Sequence, residues 1–306
     1  MENISDEEVK IQKFLSFNKL PILENQNKHE RDNNISFKEE GHIYTIKGWD
    51  TSGFLSVTSW CNSQFPPITI DEMASKKLDS MSAELTIKLM IKNEGRLKVE
   101  EMISKELGEK GNQARIKGTR FHLILECILN DPVLPRGYCN GHVYESLFET
   151  LLSSDNNFGD LAVREPEVHY FTKFLRKFHY LIPYRTEWRM YHEDYKITGT
   201  ADAIFTDKDG KFYLFDWKRA RNFSSNKNFG NNVKDPDLHD YFRDNTYSKY
   251  TMQLNLYRII LKDKYEIEID GMYILRFHQD EKDFDLVPIQ CYEEPIRKAL
   301  EKRKLR

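Results

Sequence analysis

Apolar positions follow a helical period through the first half of the chain. Over residues 71–130 they recur at intervals of three and four, with breaks near Gly95 and Gly108, which predicts several consecutive helical segments. The same period returns over residues 143–152 and after Pro166, and proline is favoured in the first turn of a helix. This pattern predicts a largely helical region before the first strong strand pattern.

Two shorter patterns precede the helical region. Residues 1–40 are polar and lack sustained periodicity, so they predict a tail or a short helix over a solvated surface. Short apolar runs over residues 42–58 flank the stretch 48–53, which predicts a small hairpin that continues to Trp60. Pro66 then ends this element.

At residue 184 the pattern changes to apolar runs separated by polar turns. The turn at 207–210, Asp-Lys-Asp-Gly, lies between two such runs and favours a hairpin. A strand, a helix and a further strand follow, and their length suits a parallel crossover. The predicted helix is 247–262, and the predicted strands are 184–192, 196–206, 212–218 and 272–277.

These elements predict an α/β fold, in which a mixed central sheet is flanked by helices and preceded by an N-terminal helical region. We expect a polar segment at 1–40, a hairpin and helical region at 41–180 that forms a wall beside the sheet, and a core of sheet and helices at 181–306. The second and third regions form one integrated domain. Residues 219–245 form a polar loop, and loops of this length are usually functional or mobile.

Composition removes some classes of function. The chain has 306 residues, with 46 Lys and Arg against 49 Asp and Glu, so its net charge is −3. Its pI of 6.3 argues against a protein that coats nucleic acid through its overall charge, because such domains have a pI above about 9. No run approaches the roughly 20 apolar residues that cross a bilayer, so we expect no membrane segment.

The N-terminus and the cysteines bear on the cellular compartment. The first residues are acidic and resemble neither a secretory signal nor a transit peptide. The cysteines are scattered without a CxxC pair, which argues against a zinc site or a disulfide framework. We therefore expect an intracellular, reducing compartment, the cytoplasm or the nucleus. The four cysteines are Cys61, Cys127, Cys139 and Cys291.

Two carboxylates and a lysine converge in the predicted hairpin. If the chain turns at 207–210, the numbers of paired residues sum to about 417, which places Asp202 opposite Phe215 and beside Asp216. Lys218 shares a strand face with Asp216. Burying such charges costs several kcal/mol each unless something compensates them. Mg²⁺ between the carboxylates is one compensation, since it is typically held by one or two carboxylates.

A divalent cation there suits phosphodiester hydrolysis. It would polarise the phosphate and lower the pKa of a water, while Lys218 could orient that water or neutralise developing charge. The tripeptide Asp-x-Lys is common in a charged chain and also occurs in polar surroundings at 194–196 and 209–211. The copy at 216–218 differs because it ends a strongly apolar strand and has a second acid alongside.

Two helices carry further candidate residues. His122 and Glu126 are four residues apart and share a helix face, and a neutral imidazole is a competent metal ligand, although a lone helix histidine is more often structural. Gln253 and Tyr257 share a face of the helix at 247–262, with Tyr250 one turn earlier. Taken alone, that helix would be ordinary and amphipathic.

Taken in order, these residues resemble the PD-(D/E)xK nuclease superfamily, and within it the RecB-like exonuclease branch. That branch has a Gly-x-x-x-His helix, a strand Glu, Gly-x-x-Asp, Asp-x-Lys and a Gln-x-x-x-Tyr helix. The likeness spans roughly residues 115–260, and its matching segments are Gly118–His122, Glu187, Gly199–Asp202, Asp216–Lys218 and Gln253–Tyr257.

The resemblance implies a restriction-endonuclease-like core and assigns roles to these residues. The implied ligands of Mg²⁺ or Mn²⁺ are His122, Asp202, Asp216 and the backbone carbonyl of Trp217. Lys218 would be catalytic together with the acids, and Glu187 would assist through a water or a second metal. Gln253 and Tyr257 would position the nucleic acid or the lysine. Some relatives hold an iron–sulfur cluster on clustered C-terminal cysteines, but this chain has only Cys291 there, so we predict no cluster.

A basic strip marks where a nucleic-acid backbone would run. Residues 208–227 contain six Lys or Arg and two Asp, a local excess of +4, and most of a nucleic-acid interface is contact to phosphate. We expect phosphate contacts from Arg219 and Arg221, and from Thr119 and Arg120 on the opposite wall. Unpaired bases could stack on loop aromatics, which equally could be ordinary loop residues: Phe223, Tyr241, Phe242 and Tyr247.

These expectations favour a metal-dependent deoxyribonuclease, and the resemblance favours an exonuclease that prefers single-stranded ends. One alternative is an RNA endonuclease with the same His, Asp, Asp and Lys site. Another is a catalytically silent nucleic-acid-binding subunit. No phosphate-binding GxxxxGK[ST] motif is present, so a helicase or replication motor would be a separate partner.

Overall fold

The computed structural model describes residues 19–81, 83–132, 166–220, 230–278 and 280–304. The helical pattern expected at 143–152, together with Cys139 and Arg221, lies outside the described residues. The chain divides into two compact units, one of residues 66–121 and a larger one of the residues before and after it. The predicted boundaries at 40 and 180 remain predictions.

The smaller unit is helical. It contains α3 (Ile70–Met81), α4 (Leu85–Glu94) and the first part of α5 (Arg96–Leu129), whose residues from His122 onward belong to the larger unit. Its core consists of Ala74, Leu78, Ile87, Val99 and Ile103.

Side-chain caps and a glycine determine where helices begin and end in this unit. Thr69 and Glu72 cap the start of α3 by each accepting a hydrogen bond from the other's backbone N–H. Gly95 ends α4 at a φ of +84°, a backbone conformation that glycine adopts without steric cost. The expected break at Gly108 is wrong, because α5 runs through it without interruption. A glycine inside a helix weakens it by about 1 kcal/mol without ending it.

The larger unit is built on a six-stranded mixed sheet. The strands are β3 (Leu55–Ser56), β4 (Ile182–His192), β5 (Ile197–Thr206), β6 (Phe212–Arg219), β7 (Ile269–Phe277) and β8 (Asp285–Ile289). Their order in the sheet is β3-β5-β6-β7-β8, and β4 also pairs with β5. The predicted hairpin from β5 to β6 is antiparallel, and the predicted crossover from β6 to β7 is parallel, so both are confirmed.

Helices cover both faces of this sheet. On one face, α7 (Thr246–Tyr265) and α8 (Glu293–Lys304) pack with Trp188, Ile204 and Leu214 in the main core. On the other face, α6 (Pro166–Lys177) places Phe171 and Phe174 among aromatic side chains of β5 and β6, which are Phe205, Phe215 and Trp217. The α/β fold with a mixed, helix-flanked sheet is therefore confirmed.

The segment before the helical unit folds differently from the prediction. It consists of α1 (Ile22–Gln26), a 3-10 turn at Glu30–Asn34, and a hairpin of β1 (Ile35–Lys38) and β2 (Ile43–Ile46). The hairpin thus lies earlier than predicted. Residues 57–60 open a helix, α2 (Val57–Ser63), because the Ser56 hydroxyl caps it by accepting the Ser59 N–H.

Within the described residues, no helix combines the length and the apolar composition that crossing a membrane requires.

Candidate metal centre

Three neighbouring strands bring three acidic residues to one level of the sheet. Ala203 of β5 pairs with Thr186 of β4 and with Phe215 of β6. Following the chain by one residue on each strand places Asp202 level with Glu187 and with Asp216. The numbers of paired residues across the β5–β6 hairpin therefore sum to 418, one more than the predicted sum of about 417, so Asp202 is level with Asp216 and not opposite Phe215.

The hairpin loop explains this difference. The Asp207 backbone N–H donates to the Lys211 carbonyl, and the Asp207 Oδ1 accepts from the backbone N–H groups of Asp209 and Lys211. With Gly210 at a φ of +76°, the loop closes one residue later than the predicted turn. A slip of one residue moves every side chain to the other face, so the level of Asp202 and Asp216 depends on this loop.

A helix adds an imidazole to the carboxylates. His122, on α5, places its Nδ1 at 3.2 Å from Glu187 Oε1 and 3.7 Å from Asp202 Oδ1. One ligand atom from each of these three residues lies within 4.8 Å of the other two. The second ring nitrogen, Nε2, is 3.2 Å from the backbone carbonyl oxygen of Trp217. We call His122, Glu187 and Asp202 the His-Glu-Asp cluster.

Charge in the cluster favours a bound cation. Burial opposes the charged form of His122, but Asp202 and Glu187 outweigh it and raise the pKa of the imidazole to about 9. Both ring nitrogens face oxygen acceptors, as suits a protonated ring that donates twice. Burial raises the pKa of Asp202, and the Glu187 carboxylate adds to this rise. The acids therefore lie in an environment where positive charge is stabilising.

Asp216, which is buried, and Lys218, which is half-buried, form an ion pair next to the cluster. Lys218 Nζ lies 2.6 Å from Asp216 Oδ2, and Asp216 is 1% exposed. Burial raises the pKa of Asp216 to about 6 although Lys218 opposes the rise. Burial lowers the pKa of Lys218, but Asp216 and Asp202 outweigh it, so the pKa lies above its usual value and the amine stays protonated. The ammonium also lies 4.8 Å from the ring centre of Tyr250.

Helix α7 supports this ion pair from one side of the sheet. Gln253 Nε2 donates a hydrogen bond to Asp216 Oδ1 at 3.0 Å and lies 3.5 Å from the Tyr257 hydroxyl. The Tyr257 ring packs against Gly199, where a Cβ atom would lie 2.7 Å from Tyr257 Cε1. Glycine at 199 therefore allows the helix to approach the strand that carries Asp202.

The predicted ligand set and the observed cluster differ in one member. Glu187, which was predicted to assist, lies in the His-Glu-Asp cluster, whereas Asp216 is not part of it. Asp216 is held instead by Lys218 and Gln253. The expected catalytic group of acids and Lys218 thus lies together within the larger unit, and each residue's role remains a prediction.

The four residues predicted to contact phosphate lie in different parts of the chain. Arg219 Nε lies 2.7 Å from Oε1 of Glu167, a carboxylate in the first turn of α6 that is fully buried. Thr119 and Arg120 belong to the helical unit, and Arg221 lies outside the described residues. Substrate contact by these four residues remains a prediction.

Two of the four loop aromatics proposed for base stacking are in the core. Phe242 is 1% and Tyr247 is 4% exposed, so their stacking role is wrong in this conformation. The Asn245 side chain caps α7, which draws Tyr247 into that helix. Tyr241 is 43% exposed, and Phe223 lies outside the described residues.

Sequence reasoning missed Tyr44, a polar residue beside the cluster. The hydroxyl of Tyr44 on β2 lies 2.9 Å from Thr200 Oγ1 on β5, and the Glu187 charge contributes to a raised pKa of Tyr44, after burial. Glu126, expected on the His122 face, forms an ion pair with Lys19 at 2.7 Å. No local pattern in the short hairpin strands indicates Tyr44, because its partner Thr200 is 156 positions away in the chain.

The donor set of the cluster fits a hard divalent cation. A divalent cation would displace the proton from one ring nitrogen of His122, so the cluster offers one imidazole nitrogen and two carboxylates, with a backbone carbonyl next to the imidazole. Oxygen donors with one imidazole suit Mg²⁺ or Mn²⁺ better than soft metals, which prefer thiolates. Binding such an ion would compensate the burial of the Asp202 carboxylate, which raises the pKa of that group.

Comparisons with known proteins add little to this description. No family model matches the chain, and no curated protein matches it. One similar solved structure is described as "Crystal structure of SSO0001", with 16% identity over 54% of this chain and 69% of that chain. Its TM-score is 0.25, a value at which the likeness carries no argument about fold or function.

Proposed function

We propose that this protein is a metal-dependent nuclease that hydrolyses DNA phosphodiester bonds and prefers single-stranded ends. The observation that carries the proposal is the His-Glu-Asp cluster with the Asp216–Lys218 pair beside it. A divalent cation held there would act as a Lewis acid on the phosphate and on the attacking water. Holding a protonated lysine that is 18% exposed against a buried acid costs desolvation free energy, which a functional role of the pair would explain.

The residues around the cluster have distinct tasks under this proposal. His122, Glu187 and Asp202 would hold the cation, with the Trp217 carbonyl nearby as a further oxygen donor. Lys218, protonated beside Asp216, would neutralise negative charge that develops on the phosphate. Gln253 would hold the Asp216 carboxylate in place.

The resemblance to the RecB-like branch of PD-(D/E)xK nucleases supports the choice of substrate and of end preference. Under the same proposal the protein works in an intracellular, reducing compartment, and any helicase or replication motor is a separate partner. The free thiols of Cys61, Cys127 and Cys291 are compatible with such a compartment.

Cleavage of end-labelled oligonucleotides tests the proposal. Single-stranded DNA, duplex DNA and RNA of one sequence are incubated with the wild type in Mg²⁺, in Mn²⁺ or in EDTA. We expect metal-dependent shortening of single-stranded DNA, no reaction in EDTA, and loss of at least a hundredfold in rate for Lys218→Ala, because general acid–base or electrostatic groups contribute about 100-fold or more.

A second lysine provides the matched control. Lys47 follows β2 on an exposed turn, so Lys47→Ala should cleave at the wild-type rate. Cleavage that persists in Lys218→Ala would overturn the role of that lysine. Faster cleavage of RNA would replace the substrate, and metal binding without cleavage of any strand would favour a silent binding subunit.

A further inference from the structure

The hairpin of β1 and β2 carries three aromatic rings in mutual contact. The ring centres of Phe37 and Tyr44 are 4.6 Å apart, and those of Phe37 and His42 are 4.8 Å apart. His42 and Tyr44 are 5.8 Å apart. We call these three residues the aromatic platform. Phe37 and Tyr44 are half-buried, whereas His42 is exposed to solvent.

The hairpin backbone places these rings together. Phe37 pairs directly with Tyr44, so both side chains lie on one face of the hairpin. His42 adopts a positive φ of 54° in the loop, where its N–H donates to the Glu39 carbonyl. A left-handed conformation is uncommon for a residue with a side chain and costs about 1 kcal/mol or more. In this conformation of the loop, the imidazole of His42 lies against Phe37.

The hairpin face that carries Phe37 and Tyr44 packs against a core at the end away from the hairpin loop. Ile35 and Ile46 share the face with Phe37 and Tyr44, and they pack with Tyr191 of β4 in a small core. The aromatic platform continues from that core toward the hairpin loop. The hairpin that carries the three rings is therefore held in place by packing, as a surface for stacking requires.

The aromatic platform lies next to the His-Glu-Asp cluster. Tyr44 is bonded to Thr200, and Thr200 pairs with Arg189, whose guanidinium carbon lies 6.0 Å from the ring centre of Phe37. Thr200 precedes Asp202 by two residues, and Arg189 follows Glu187 by two residues. At a rise of about 3.3 Å per residue, this pair lies about 7 Å along the sheet from the cluster.

We propose that the aromatic platform binds an unpaired nucleobase of the strand whose phosphate lies at the His-Glu-Asp cluster. This inference rests on the proposed function and extends it to a substrate subsite. Aromatic side chains stack on bases of any sequence, because every base has a π-face. Arg189, exposed beside Phe37, supplies the positive charge that an adjoining phosphate requires. The subsite would select single strands, because paired bases are not available for stacking.

Equilibrium binding to two matched oligonucleotides tests the proposal. Fluorescence anisotropy in EDTA measures the affinity of the full-length protein for a labelled oligothymidine and for an abasic strand of equal length and charge. Stacking is worth about 1–3 kcal/mol per base, which corresponds to about a 5- to 150-fold preference. We expect the wild type to prefer the strand with bases by at least fivefold.

Variants of the hairpin locate this preference. In His42→Ala and Phe37→Leu we expect the preference to fall by at least threefold, while affinity for the abasic strand stays unchanged. Ile43, which is 52% exposed in the same hairpin, lies on the opposite strand face from Tyr44. Ile43→Ala therefore serves as the matched control and should keep the wild-type preference.

The possible failures are distinguishable. A wild-type preference that survives in both ring variants, or equal affinity of the wild type for the two strands, would refute the platform, even if Lys218→Ala still abolishes cleavage. Equal losses for both strands would also refute it, because they would indicate backbone contact alone. Absence of nucleic-acid binding and of cleavage in every condition would overturn the proposed function itself. His42→Ala, at an exposed side chain, keeps the test valid if Phe37→Leu does not fold.

Discussion

His192 at the end of β4 should make the larger unit sensitive to acid. Its Nε2 is 3.2 Å from Asp263 Oδ2, and its Nδ1 faces the Tyr195 N–H at 3.4 Å. A ring that accepts at Nδ1 is the neutral form. Burial lowers the pKa of His192 to about 4, although the hydrogen bond with Asp263 opposes this shift.

The sign and size of the effect follow from proton binding. Because the folded-state pKa of about 4 lies below the unfolded value of 6.5, the unfolded chain binds more protons between these values, and stability falls as the pH falls through that window. The full difference is about 3 kcal/mol. Between pH 7 and pH 5 the loss from this one residue is about 2 kcal/mol.

Urea unfolding at pH 7 and pH 5 measures the loss. All four tryptophans (Trp49, Trp60, Trp188 and Trp217) lie in the larger unit, so their fluorescence reports on that unit. In His192→Gln, whose amide can still donate to Asp263, we expect the decrease in unfolding free energy between the two pH values to be about 2 kcal/mol smaller than in the wild type. His169→Gln, at an exposed histidine, is the control and should behave as the wild type. Parallel pH dependences in wild type and His192→Gln would refute the reasoning.

Two further substitutions test the packing around the site. Gly199→Ala would place a Cβ atom 2.7 Å from Tyr257 Cε1, so we expect a loss of about 1–3 kcal/mol, measured by urea unfolding; an unchanged midpoint would contradict the close packing. Asp32 pairs with Arg185 at 2.7 Å and accepts the Trp188 Nε1–H. Asp32→Ala would leave that arginine buried without its carboxylate, and we expect a loss of about 3–5 kcal/mol. A loss below 1 kcal/mol by the same assay would show that the pair is not structurally important.

Local signals in the sequence predicted the core of the fold. The strands at 184–192 and 212–218 and the helix at 247–262 were predicted close to their observed bounds, because alternation and helical period reflect which faces are buried. The prediction that the hairpin continues over residues 57–60 was wrong because β-branched Val57 and Thr58 favour a strand. The Ser56 cap and packing of Val57 and Trp60 in the main core outweigh that preference.

For the candidate site too, short local motifs predicted some features, whereas others depend on how the strands pair. Four site residues could be named from sequence motifs, because each motif is short and joins residues that are close in the chain. These residues are His122, Glu187, Asp202 and Lys218. The level of Asp202 with Asp216 depends on the strand register, and the register depends on hydrogen bonds that the Asp207 side chain accepts within the loop.

The aromatic platform could not be named from local pattern. It brings Tyr44 to Thr200, residues that are 156 positions apart in the chain. No period in either segment indicates that contact. It becomes visible only when the hairpin packs on β4.

The proposed nuclease activity depends on a divalent cation held by His122, Glu187 and Asp202. Calorimetric titration of Mn²⁺ into the metal-free protein tests it directly, with Asp202→Asn as the variant and Asp209→Asn, at an exposed turn residue of the same hairpin, as the matched control. We expect one site in the wild type and in Asp209→Asn, and at least tenfold weaker binding in Asp202→Asn with unchanged tryptophan fluorescence. Equal Mn²⁺ affinity in all three proteins, or no binding by the wild type, would contradict the account.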